Sequence, residues 1–109
     1  MSSTRLEGKI KERVQEIFKE ADVEVNRIIL FGSRARGDWK RGSDWGLLIV
    51  VNKELARNEK MELSHLIRKE LAEEYIACDV VIKSEKEIEH YKDFFGTVTH
   101  EALKEGVGI

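Results

Sequence analysis

The chain has 109 residues, a formal net charge of -2 and one cysteine, Cys78. That is the length of one domain with a modest core, and it excludes an intrachain disulfide and a broadly basic surface for general nucleic-acid binding. No apolar run is long enough to span a bilayer, and Met1-Ser2-Ser3-Thr4-Arg5 carries no apolar leader stretch, so the expectation is a single cytoplasmic domain over 1–109. A lone thiol agrees with a reducing compartment. Charged residues make up 37% of the chain; their weighting to Glu and Lys fits a heavily solvated surface or a thermophilic source.

Leu6, Ile10, Val14, Ile17, Phe18 and Ala21 fall on one helical face, predicting a first helix over 5–21. Asn26–Phe31 is short, apolar and β-branched, as a buried strand is. It stops at Gly32-Ser33. Arg34–Ser43 holds Gly37, Gly42 and many charges and reads as a loop. Trp45–Val51 (WGLLIVV) is a second buried strand, and Asn52–Asn58 a connection. Leu63, Leu66, Ile67, Leu71 and Tyr75 mark a helix over 59–75. Cys78–Ile82 is a third strand. Ser84 with Glu87 three residues on has the form of a capping box, and Ile88, Tyr91, Phe95, Val98 and Ala102 continue a helical stripe that Gly106 and Gly108 end. Continuous apolar strands covered by helices predict a small mixed α/β (α+β) architecture, a three-stranded sheet packed with about four helices.

Chemistry concentrates in Phe31-Gly32-Ser33-Arg34-Ala35-Arg36-Gly37 and Gly42-Ser43-Asp44-Trp45-Gly46-Leu47. A glycine at a strand end lets a phosphate approach the backbone, and turn amides and the Ser33 hydroxyl can donate to an anion. Arg34 and Arg36 bring positive charge there, and spacing does not choose between them. This is not a Walker loop, whose Lys-Ser/Thr end is absent. Asp44 and Asp79 each stand where an apolar strand begins, a costly place for a charge unless it is paired or holds a metal. If the two strands are neighbours, two carboxylates side by side offer hard oxygen ligands suited to Mg²⁺. A phosphate-cradling turn beside such a pair is the equipment of phosphoryl or nucleotidyl transfer.

Gly-Ser, a spacer of about ten, an aspartate on a strand and another on a later strand together resemble the signature of the DNA polymerase β-type nucleotidyltransferases. Gly32-Ser33-Arg34-Ala35-Arg36-Gly37 with Ser43-Asp44 is especially similar to the minimal nucleotidyltransferases (MNT), and the likeness runs over nearly the whole chain. It implies the nucleotidyltransferase fold and transfer of a nucleoside monophosphate, usually AMP from ATP, to an acceptor hydroxyl. It implies a nucleotide site of Gly32, Ser33, Arg36 and Ser43, with Asp44 and Asp79 as catalytic ligands of a two-ion Mg²⁺ site. It also implies a HEPN-domain helical protein as partner and AMP acceptor, with the chain as antitoxin.

One position departs from that pattern. The family reads Asp-x-Asp, and this chain reads Asp44-Trp45-Gly46. Residues two apart on a strand point the same way, so Gly46 keeps the direction and lacks the ligand. Loss of a shared ligand is worth about 4 kcal/mol, on the order of a thousandfold in rate. Asp38 is a nearby carboxylate with no geometric reason to replace it. The alternative is therefore an impaired relative that binds nucleotide or partner without transfer. Gly46→Asp is expected to complete the site without disturbing Trp45, Leu47 and Ile49 on the other face.

Other signals carry less. Arg36-Gly37-Asp38 is a chance adhesion tripeptide. His65, His90 and His100 lack metal-ligand spacing, Cys78 and Trp45 read as core, and Trp39 is a loop aromatic. Tyr91, Phe94, Phe95 and Val98 are many large apolar groups for a small domain and predict a partner or self-association contact.

Overall fold

The computed structural model describes residues 2–32, 45–91 and 97–109, the side chains of residues 2–5 and of Val98 excepted. In chain order these form α1 (Ser2–Glu20), β1 (Val25–Phe31), β2 (Trp45–Val51), α2 (Arg57–Glu73), β3 (Cys78–Ser84), α3 (Glu85–Tyr91), α4 (Val98–Glu105) and β4 (Val107–Gly108). The strands lie in the order β3-β2-β1-β4. β1 is antiparallel to β2 and to β4, and β2 is parallel to β3.

The expected class holds, with a fourth strand added. Gly106 does end the last helix, its N–H donating to Ala102 O at 2.8 Å. The residues after it then pair with Ile29 and Leu30 of β1. Such a strand has no pattern of its own to read, because two residues show no alternation. The helical stripe from Ile88 to Ala102 is likewise two helices, and residues 92–96 between them lie outside the described set.

β2 is the centre, and all seven of its residues are buried. Alternation sends Trp45, Leu47, Ile49 and Val51 to one face, where they meet Ile10, Val14 and Phe18 of α1 and Leu63, Ile67 and Leu71 of α2. Leu48 and Val50 go to the other face, against Ile88 of α3 and Ala102 of α4. Trp45 is 4% exposed and belongs to the core, as its apolar context predicts.

The helix ends are closed by recurring devices. After α1 the Val23 N–H donates to Phe18 O at 2.9 Å, and after α2 the Ile76 N–H donates to Leu71 O at 2.9 Å. Both closures place a residue in the left-handed region, Asp22 at φ 59° and Tyr75 at φ 62°, and bury the apolar residue that follows. At the start of α3 the expected capping box is present. Ser84 N–H donates to Glu87 Oε1 at 3.0 Å, and Glu87 N–H donates to Ser84 Oγ at 3.1 Å. No helix among the described residues is long and apolar enough to cross a membrane.

Candidate functional site

The chain direction of each strand decides which residues share an end of the sheet. β1 finishes, and β2 and β3 begin, at the same end. Phe31 is the register partner of Gly46, and Gly46 is the register partner of Asp79. Phe31, Gly46 and Asp79 thus form one row across three strands, and in-register neighbours present their side chains to one face. Trp45 N–H closes the β2–β3 end of the row by donating to Ala77 O at 2.8 Å.

Gly32 follows the row directly and has φ +83°. A side chain there would meet no described residue within 4 Å. The glycine is required by its backbone conformation. Asp79 is exposed, so its carboxylate faces solvent at the same end. Ser33, Arg34, Arg36, Asp38, Ser43 and Asp44 lie outside the described residues. Of the expected site, the structure brings together Gly32, Gly46 and Asp79.

Gly46 is not an empty ligand position. A Cβ built on it would lie 2.8 Å from Phe31 Cε2, 2.9 Å from Phe31 Cδ2 and 2.8 Å from the Phe31 carbonyl oxygen. The Phe31 ring lies over the glycine, and the backbone of β1 is equally close. Trp45, Leu47 and Ile49 are on the other face, as expected, so Gly46→Asp leaves them alone, but Phe31 is on the same face and must move. Nothing chemical in the sequence singles out Phe31; only the antiparallel register puts it opposite position 46.

These residues fit a metal only in part. Asp79 can offer carboxylate oxygens, position 46 offers none, and no cluster of three or more His, Cys, Asp or Glu residues suited to a metal occurs among the described residues. Asp44 would have to supply the rest. His65, His90 and His100 form no such cluster. Of the late aromatic group, Tyr91 is half-buried, while Phe94, Phe95 and the Val98 side chain are outside the described set.

Elsewhere, the charges tie helices together. Glu74 accepts from Lys9 Nζ at 2.6 Å and from Arg13 at 3.3 Å, which joins the loop after α2 to α1. Lys9 and then Arg13 hold the Glu74 carboxyl below the usual range. Burial pushes the Glu87 carboxyl up, but the Lys60 ammonium, 2.6 Å away, and the Ser84 N–H together bring it below the usual range.

Comparison with known proteins agrees with this fold. A protein of Sulfolobus solfataricus assigned to the nucleotidyltransferases has a similar structure, with TM-score 0.63 and 26% identity, over 98% of this chain and 81% of that one. A toxin–antitoxin complex with AMP-PNP is similar in fold, with TM-score 0.58 and 16% identity, over 89% of this chain and 69% of that one. A mutant of the MntA-HpeT toxin–antitoxin pair gives TM-score 0.58 and 15% identity, over 91% and 70%. Among curated proteins no significant sequence match was found. The family model of the nucleotidyltransferase domain matches residues 8–101, and the chain belongs to that family.

Proposed function

We infer that the chain acts as a minimal nucleotidyltransferase, an antitoxin that transfers AMP from ATP to a hydroxyl of a HEPN-domain helical partner in the cytoplasm. The observation that carries the reading is that Gly32, at φ +83°, directly follows the row of the sheet in which the exposed Asp79 stands. The Gly32 and Ser33 turn holds the triphosphate with Arg36 and Ser43, its amides donating to phosphate oxygens. Asp44 and Asp79 would hold Mg²⁺, which would draw negative charge off the phosphates. In the transfer the acceptor oxygen bonds to the α-phosphorus, the bond to the bridging oxygen breaks, pyrophosphate leaves with the electron pair, and the hydroxyl proton is released. The toxin–antitoxin assemblies among the structural neighbours support a toxin partner.

A second reading is favoured by Phe31 lying over Gly46: nucleotide or partner binding without transfer. One experiment separates the two. The chain is co-expressed with a helical HEPN neighbour and incubated with Mg²⁺ and ATP labelled at the α-phosphate. Labelling of the partner that Asp79→Asn lowers by a hundredfold or more, about 3 kcal/mol in the barrier, is the outcome expected of the enzyme. Asp79 is exposed, so the variant should fold. An unlabelled partner that is still neutralised selects the binding module, and absence of labelling, nucleotide binding and neutralisation together sinks both readings.

A further inference from the structure

At the end of the sheet away from Gly32, α1 and α2 diverge and leave a groove of about 350 Å³. Its floor is apolar: Ile17, Val23 and Leu63 are buried there, and Leu66 stands 40% exposed. Its rim is four glutamates, Glu20 from α1 and Glu59, Glu62 and Glu70 from α2. Among the described residues no lysine or arginine lines it. Glu59 accepts the Ala56 N–H at 3.0 Å. Glu20, Glu62 and Glu70 are in no close ion pair with a described residue, although Arg13 of α1 lies near enough to Glu70 to feel its charge.

The charge on α2 is unevenly spread. Lys60, His65 and Arg68 line a separate groove beside β3 with Val80 and Ile82, and Glu62 stands between the two grooves and lines both. The acidic flank spans positions 59, 62, 63, 66 and 70, one stripe of a helix, about 16 Å long at 1.5 Å per residue. Acidic residues in an exposed stripe repel one another, which costs stability unless a cation answers them. An apolar floor answers to apolar side chains, and a half-exposed leucine beside carboxylates in excess of nearby cations answers to an apolar and cationic partner.

We propose that the α1–α2 groove is a docking site for a cationic amphipathic helix of a partner protein, its apolar residues on Leu66 and Leu63 and its lysines or arginines on Glu20, Glu62 and Glu70. The recognition is that of a helix laid in a groove, with charge setting the partner's sign and orientation. It does not depend on the transfer reaction, because the groove is built by other elements at the other end of the sheet.

The test uses the whole chain and a fluorescent peptide of leucine and lysine, roughly 18 residues long so that it can form a helix, with leucines at helical spacing. A leucine–glutamate peptide of the same pattern is the counterpart. The expected result is saturable binding of the lysine peptide alone, with amide chemical-shift changes centred on residues 17–23 and 59–70. Reversing Glu20, Glu62 and Glu70 to Lys should weaken it by about tenfold or more, and Leu66→Ser should weaken it without adding charge. A control reversal of Glu7, Glu12 and Glu73 changes net charge equally and should leave affinity within about twofold. Circular dichroism melts verify that each variant is folded, and the shift map on the unaltered chain needs no variant at all. An equal loss in the control, binding that maps elsewhere, or binding of the glutamate peptide overturns the proposal. So does light scattering that shows a dimer dissociated by the groove reversal, since a second copy would then be the occupant.

Discussion

Two glycines at the same end of the sheet are glycines for different reasons. Gly32 is held by its φ of +83°, with no described residue within 4 Å of an added Cβ, so Gly32→Ala should cost about 1–2 kcal/mol in urea unfolding through backbone strain. Gly46 lies under the Phe31 ring and against the Phe31 carbonyl, so Gly46→Ala should cost about 1–3 kcal/mol by overpacking. Phe31→Leu should return part of that loss, and the double-mutant cycle should show coupling of about 0.5 kcal/mol or more. Additive effects would mean that the ring does not press on the glycine. Gly46→Asp should behave as the alanine variant does, with a charge added beside Asp79, and is expected to be less stable without metal. The direction of Gly46 was legible from two-residue alternation along WGLLIVV. The ring over it was not, because it depends on a register between β1 and β2 that no local pattern specifies.

The helices show how local chemistry and tertiary contact combine. The Ser84–Glu87 box was legible in the sequence because both partners lie within one turn. Lys60, which comes 27 residues earlier in the chain to sit on Glu87, was not. Ser84→Ala should cost about 1 kcal/mol by loss of the cap, read from the urea midpoint. The Glu87 carboxyl is held below its ordinary value when folded. Its contribution is therefore complete above the ordinary carboxylate range and is lost as pH falls through the depressed value. Glu87→Gln should flatten the acid limb of the stability profile below about pH 4.5, measured by thermal melts across pH; an unchanged limb would assign that limb to other carboxylates. The boundaries of α2 moved by two residues at each end from the predicted 59–75 to Arg57–Glu73. Its C-terminal end is set by the closure at Tyr75, whose left-handed backbone is not announced by a glycine.

At the scale of the molecule, the order of elements was legible because β2 is apolar at every position and each amphipathic helix has one face to bury. β4 was the part that could not be read, since its two residues are a strand only by virtue of β1 beside them. That pairing has a consequence for handling the protein. β4 and the Ile109 N–H, which donates to Ile28 O at 2.9 Å, cover part of the outer edge of β1, whose Ile28, Ile29 and Leu30 are buried. A chain cut after Gly106 should leave that edge as a template for strand addition between molecules. Amide exchange in the shortened protein should quicken first along β1, and turbidity on storage should rise with concentration. A shortened chain that stays monomeric and exchanges as slowly as before would show that the last three residues ride on β1 without guarding it.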